Sequence, residues 1–431
     1  MRVVITSFGS LGDLNPYIGL CRALNDRGNE AVLAVPRLYV PHAIAAGVNA
    51  HPVRPDIDPD RRDVIQRVMH PFRGAEYLIR EWLMPNVDDA YADLDALVKD
   101  DDILVSHPLT FAAPVLAEHR RLRWASSVLA PLGFFSRCDP PLMAVHPLVA
   151  ALQRNLPGLY RHLVQLPRMA TRSWGKPVRE LRARLGLPAG QDPVHGGQFS
   201  PHLNLAMFSP LLAEPQPDWP PDTVVTGAVS YDAVHGGMSP ELEAFLDRGS
   251  APVVFTLGSS AVAGAFAPAF YRASIEAVRD RGARAVLLIG PQSEFRMEGA
   301  RDDICIAEWA PHSALFARAS AIVHPGGAGT LHTALRSGRP MLIVPHAHDQ
   351  GDNALRAARL GVARVVFPSQ YNRRTVGQHL RELAQPGWSE RSATVAQRVR
   401  REDGASRAVD ALEALAGQPA NHPARPVVSM P

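Results

Sequence analysis

The strongest constraint on the fold is a rhythm. Short runs of apolar residues recur along the chain, each followed by a small-residue turn and then by a segment with helical spacing. A strand with one face in water alternates polar and apolar residues. Runs such as Val3-Val-Ile5, Ile103-Leu-Val105, Val253-Val-Phe255 and Met341-Leu-Ile-Val344 do not, and so predict parallel strands covered by helices on both faces. In the first half the expected strands are Arg2 to Thr6, Glu30 to Val35, Asp102 to Val105 and Trp124 to Val128, with helices over Pro16 to Arg27 and Phe111 to Arg120. From about Pro140 to Pro220 the rhythm gives way to a stretch rich in proline, arginine and leucine, read as helices and loops. Within it, Glu214-Pro-Gln-Pro-Asp-Trp-Pro-Pro221 reads as a linker, because repeated prolines break helices and favour extended backbone. Thr223 to Thr226 follows as the last strand of the first half.

The alternation restarts with Val253 to Leu257, a helix near Phe270 to Arg281, and strands at Ala285 to Ile289, Ala321 to Val323, Met341 to Val344 and Val365 to Phe367. An arginine-rich helix is expected from about Ser389 to Ala416. A chain of 431 residues is too long for one ordinary core. The expected class is therefore α/β with two domains, residues 1–228 and 229–395, a closing helix at 396–417 and a proline-rich, disordered tail at 418–431.

The most informative local pattern is His324-Pro-Gly-Gly-Ala-Gly-Thr330, set between the apolar run Ala321 to Val323 and a helical segment closed by Gly338. A strand that turns through small residues into a helix leaves unpaired backbone N–H groups at the helix start. Those donors and the helix dipole both attract a diphosphate. Gly326, Gly327 and Gly329 let the backbone approach it, and His324 and Thr330 can add side-chain donors. Asp349 and Gln350, just past the next strand, suit a grip on sugar hydroxyls. The pattern points to a nucleotide-sugar site.

These residues, with Trp309-Ala-Pro-His312 upstream, resemble the C-terminal donor motif of family-1 glycosyltransferases, most closely the bacterial antibiotic, sterol and rhamnolipid branch. The resemblance implies the GT-B fold: two facing Rossmann-like domains with parallel sheets, donor in the C-terminal one, acceptor in the N-terminal one, and a last helix crossing back. It implies that Trp309 stacks on the nucleobase, His312 faces that base, His324 and the following turn hold the diphosphate, and Asp349 and Gln350 read the sugar. Leu257-Gly-Ser259-Ser260 matches the family's Gly-Ser turn, where Ser259 would touch the β-phosphate. Plant members bind the ribose through a glutamate eight residues after the histidine; this chain has His332 there. The implied reaction is inverting, metal-independent transfer of a hexose from a UDP-sugar, UDP-glucose favoured, to a hydroxyl of a lipophilic natural product, sterol or lipid, with no cofactor. A dTDP-deoxysugar is the alternative donor. A catalytically weak nucleotide-sugar-binding helper is the alternative class.

Such a transfer needs a base, since a neutral hydroxyl is a poor nucleophile. Phe8-Gly-Ser-Leu-Gly12-Asp13-Leu-Asn15-Pro16 closes the first strand, and strand ends in open α/β sheets are where ligands bind. Its Gly-x-x-Gly-Asp resembles the same loop in the bacterial relatives, which sets Gly12 beside the donor and makes Asp13 a candidate base. The plain alternative makes Asp13 or Asn15 a helix N-cap ahead of Pro16. His107, in Ser106-His-Pro108 after another strand, is the second candidate, alone or paired with Asp13.

Composition narrows the partners. With 45 basic and 42 acidic residues the net charge is only +3, which argues against nucleic acid. No apolar run approaches the ~18 residues that span a bilayer, so stable membrane insertion is not expected. Cys21, Cys138 and Cys305 lie far apart without metal-ligand spacing, as suits a reducing cytoplasm. The only lysines are Lys99 and Lys176, so the second half has none to carry pyridoxal phosphate, as a phosphorylase of this architecture would need. The expected partners are a nucleotide-sugar donor and a hydrophobic, hydroxylated acceptor, and the sequence leaves the oligomeric state open.

Overall fold

The computed structural model describes the whole chain apart from residues 57–61, 143–145, 167–170, 232–236, 259–263, 265, 292, 294, 296–301 and 419–431. The expected tail and Ser259 thus lie essentially outside the described residues. Seven strands form the first sheet: β1 (Arg2–Thr6), β2 (Glu30–Val35), β3 (Asn49–Pro52), β4 (Ile103–Ser106), β5 (Arg123–Val128), β6 (Leu203–Ala206) and β7 (Thr223–Val225). Six form the second: β8 (Val253–Thr256), β9 (Ala285–Leu288), β10 (Ile304–Ala307), β11 (Ala321–His324), β12 (Met341–Ile343) and β13 (Ala363–Val365). The helices used below are α1 (Leu11–Asp26), α2 (Ala112–His119), α3 (Pro147–Asn155), α4 (Pro157–Leu163), α5 (Ala267–Arg279), α6 (Ala328–Ser337), α7 (Gln350–Arg359), α8 (Pro386–Arg400) and α9 (Gly404–Ala416).

Every strand pairing is parallel, with registers such as Val3 opposite Ile103 and Ile322 opposite Met341. The inner strands β4, β8, β9 and β11 have no exposed residue, as their uninterrupted apolar runs require. Strand order is β3-β2-β1-β4-β5-β6-β7 in one sheet and β10-β9-β8-β11-β12-β13 in the other. In each, the winding reverses once, between β1 and β4 and between β8 and β11. The loops leaving those strands diverge there and open a crevice. The four loops are the ones after Thr6, Ser106, Thr256 and His324.

Helix α9 returns to the first domain. Val409, Leu412 and Leu415 share a core with Leu20 and Leu24 of α1, and Arg27 pairs with Asp410 and Glu413.

Several expectations need correction. The first helix starts at Leu11, ahead of Pro16, because Ser10 caps it. Strands β3, β6 and β10 were not expected. β3 is an edge strand with one buried residue, and β6 carries the buried polar Asn204, which accepts from Ser126 Oγ at 2.5 Å and donates to Pro221 O at 2.8 Å. The proline-rich run from Glu214 to Pro221 is no interdomain linker. It joins β6 to β7 of one sheet, and Trp219 within it stacks on Phe134 with ring centroids 4.2 Å apart. The final helix is two helices, since Asp403 caps α9 by accepting from Ser406 N–H at 3.1 Å. Strand β13 meets the expected Val365 to Phe367 only at Val365, two residues earlier than expected.

Candidate functional site

The loop after β1 is built around Asp13. Its Oδ2 accepts from Ser10 N–H at 2.8 Å and Ser10 Oγ at 3.0 Å, while Ser10 Oγ accepts from Gly12 N–H at 3.2 Å. This is a reciprocal capping box, with Ser10 as the N-cap and the aspartate in the first turn. Neither Asp13 nor Asn15 is the cap itself. Gly9 makes room for it: its φ is +138°, and a Cβ there would come within 2.3 Å of Asp13 Oδ2. The cap uses Oδ2 alone. Oδ1 points towards His107 Nε2, 3.9 Å away, and the side chain is 38% exposed.

His107 follows β4 and is buried. Its Nδ1 accepts from Leu109 N–H at 3.2 Å, so the neutral ring carries its proton on Nε2, the nitrogen turned to Asp13. Burial pushes its pKa down to about 4, with the Asp13 charge opposing. The edge of the ring meets Tyr17, whose hydroxyl bonds Ser127 Oγ at 2.7 Å.

On the facing domain, β11 ends at His324, which is fully buried. Nδ1 accepts from Gly326 N–H at 3.1 Å, which leaves the proton on Nε2; that atom is buried with no hydrogen-bond partner among the described residues. Burial, with His312 adding to it, lowers the pKa to about 3, so the ring is a neutral donor. Gly326 has φ +92°, and a Cβ on it would come within 2.8 Å of Ile343 Cγ2. Helix α6 then starts with Gly327 at its N-cap and no side chain on the cap, so its first N–H groups remain open to an anion.

The two glycine loops meet. A Cβ on Gly329 would lie 3.5 Å from Gly12 O, a carbonyl to which Pro16 has no helical N–H to donate. Asp349, at the start of α7, is half-buried, and burial followed by the Asp13 charge pushes its carboxyl up to about 7. Asn353 Nδ2 donates to Asp349 Oδ2 at 2.7 Å and to Gly326 O at 3.0 Å, which ties the carboxyl to the glycine turn. Asn353 was not singled out as a site residue; its i, i+4 spacing from Asp349 was the available signal.

Residues 274–415 match the family described as Erythromycin biosynthesis protein CIII-like, C-terminal domain. Over 96% of its length the chain is 30% identical to O-mycaminosyltylonolide 6-deoxyallosyltransferase of Streptomyces fradiae, covering 97% of that protein. This chain is a family-1 glycosyltransferase. It is also 30% identical to the vancomycin aglycone glucosyltransferase of Amycolatopsis orientalis, over 84% of this chain and 85% of that one. Among solved structures, the calicheamicin glycosyltransferase CalG4 superposes with a TM-score of 0.70 at 19% identity, over 96% of this chain and 98% of its own. The glycosyltransferase therefore has the GT-B fold.

The remaining motif residues of the glycosyltransferase divide into two groups. Trp309 is 44% exposed and is no core aromatic. His312 begins a short helix, its ring stacked on Phe316 at 4.7 Å. Thr330 lies in the first turn of α6, half-buried. Gln350, in contrast, spends its Oε1 locally, accepting from His346 N–H at 2.8 Å and Ala347 N–H at 3.2 Å. His332 has both ring nitrogens engaged within the protein. Its Nδ1 bonds Ala328 O at 2.8 Å, and its Nε2 accepts from Ser209 N–H, across the domain boundary, at 3.1 Å. His346, which was not picked out, stacks on Phe266 with centroids 3.9 Å apart.

Proposed function

We propose that the glycosyltransferase moves a hexose from a UDP-sugar to a hydroxyl of a lipophilic small molecule, with inversion and without a metal, using Asp13 as the base. The observation that carries this reading is the divided carboxylate of Asp13. One oxygen is pinned by Ser10, and the other, in a side chain 38% exposed, has only His107 Nε2 near it, at 3.9 Å, among the described residues. Asp13 Oδ1 takes the acceptor proton as the hydroxyl oxygen bonds to the anomeric carbon and the bond to the diphosphate breaks on the opposite side. A base needs a bare nitrogen or oxygen towards the hydroxyl. His107 turns a protonated Nε2 towards Asp13, which supports a role steadying the carboxylate rather than taking the proton itself. The departing diphosphate meets the start of α6 and the Nε2–H of His324. Trp309 offers an exposed ring for the base, and Asp349 stands beside the turn for the sugar.

His332 favours a second reading of the donor. With both ring nitrogens engaged, it offers no acceptor to a ribose 2′-hydroxyl, which supports use of a dTDP-deoxysugar. The similar fold of the spinosyn rhamnosyltransferase SpnG, at 19% identity, was solved with thymidine diphosphate. Among the described residues no helix is long and apolar enough to cross a membrane. The test is mass spectrometry of purified protein with UDP- and dTDP-sugars and a panel of hydroxylated hydrophobic acceptors. The reading expects one hexose added to an acceptor at a rate unchanged by EDTA, with the anomer inverted. Donor binding with neither transfer nor hydrolysis would mark the protein as a binding helper instead.

A further inference from the structure

Helices α3 and α4 each bury one hydrogen-bonding side chain and leave leucines at the surface. In α3 the buried side chain is the polar Gln153, whose Nε2 donates to Pro140 O at 2.7 Å, while Leu148 is 73% exposed. In α4 it is Tyr160, with its hydroxyl donating to Pro141 O at 2.8 Å; Leu156, Leu159 and Leu163 face outward, and Leu166 follows them. Phe72, 59% exposed, joins this surface through His146 at the head of α3, with ring centroids 5.8 Å apart. Exposed apolar residues are ordinary when scattered, but gathered on one helix pair they mark a surface that something covers.

Charge identifies the occupant. Residues 140–179 contain six arginines and lysines and no aspartate or glutamate, where an even spread of the chain's 42 acids over 431 residues would place about four. Arg154, Arg161 and Arg172 are exposed with no ion pair among the described residues, whereas Lys176 pairs with Glu180, just past the run, at 3.2 Å. An apolar protein partner would not require a run free of acids. Anionic headgroups over hydrocarbon do, because leucines partition into the acyl boundary while arginines meet the phosphates. We infer that α3 and α4 dock the enzyme peripherally on an anionic lipid surface. The pair hangs from residues 140–142, where Leu142 N–H donates to Asp352 Oδ1 at 3.1 Å, three residues past Asp349. The pair is thus anchored to α7, the helix that begins beside Asp349. The inference does not depend on the catalytic reading, and its test measures binding rather than turnover.

The experiment is co-sedimentation of the full chain with phosphatidylcholine vesicles, with and without phosphatidylglycerol. Binding is expected to the anionic vesicles, weakly to the neutral ones, and to fall as salt rises. Each arginine near such a surface contributes roughly fivefold in partitioning, so R154E combined with R161E should lower it about twentyfold or more. Leu148→Ser with Leu156→Ser and Leu159→Ser should abolish binding with the charge intact. Because these side chains are exposed, the melting temperature should not move, which separates lost docking from lost fold. Absence of binding to either vesicle, binding indifferent to lipid charge, or variants that bind like the parent would overturn the inference. So would a concentration-dependent dimer that the leucine variant abolishes without any vesicle binding, which would assign the face to a second copy of the chain.

Discussion

Asp13→Asn separates chemistry from architecture at one position. An asparagine carbonyl can occupy the place of Oδ2 and keep both bonds from Ser10, at 2.8 and 3.0 Å, so the capping box survives. Loss of the whole cap would cost only about 1 kcal/mol, which in a domain of this size is a melting shift of about 2–4 °C. The amide cannot accept the acceptor's proton. Loss of a general base slows turnover roughly 10²–10⁴-fold, equivalent to about 2.7–5.5 kcal/mol of transition-state stabilisation. Steady-state kcat, donor affinity by calorimetry and a melting curve should therefore give a collapsed rate with the other two nearly unchanged. Ser10→Ala is the matching control: it removes a cap donor and acceptor but keeps the carboxylate, so stability should suffer more than chemistry. If Asp13→Asn kept turnover within tenfold of the parent, or lost donor binding in proportion to rate, the aspartate would serve only the capping box of Ser10 and the base would lie elsewhere.

His324→Ala removes the buried, unpartnered Nε2–H proposed to meet the diphosphate; a hydrogen bond to a charged group contributes about 1.5–3 kcal/mol, so UDP and dTDP affinity should fall roughly tenfold to a hundredfold by calorimetry. The Asp349 carboxyl is pushed up to about 7, against ~3.9 in an unfolded chain, so between those values the folded state holds a proton that the unfolded state has released. Its stabilising contribution is present at low pH and lost as pH rises through 7. Asp349→Asn should remove that decline from the curve of melting temperature against pH, and unchanged curves would mean the carboxyl titrates normally. Arg356→Met strands Asp352, with which it shares a buried 2.7 Å pair, and Asp139 across the domain boundary; chemical denaturation should show a loss of about 3–5 kcal/mol.

What the sequence made legible follows from distance along the chain. The turn from His324 to Thr330 could be read because strand, glycines and helix are contiguous, and the parallel sheets because inner strands such as β4, β8, β9 and β11 carry uninterrupted apolar runs. The capping box was also within reach, since Ser10-Leu-Gly-Asp13 spells it, yet Pro16 drew the expected helix start too far downstream. His332 could not be read. Its decisive partner, Ser209 N–H, is 123 residues away in the other domain. The stretch from Glu214 to Pro221 misled for the same reason: its prolines suggest an open chain, but Trp219 is claimed by Phe134. Gln350 shows a nearer conflict, in which a side chain suited to sugar hydroxyls is drawn into its own loop.

The return of α9 to α1 also reverses the order in which the halves can finish folding as the chain is made. Arg27 and Asp410 are 383 residues apart, so at about 5–20 residues per second the first helix waits roughly 20–75 s for its partner to be synthesised. Through that interval Leu20 and Leu24 lack the face that Val409 and Leu412 supply. The second sheet, with all its strands and most of its helices already made, can close first. The half that begins the chain is the last to be completed.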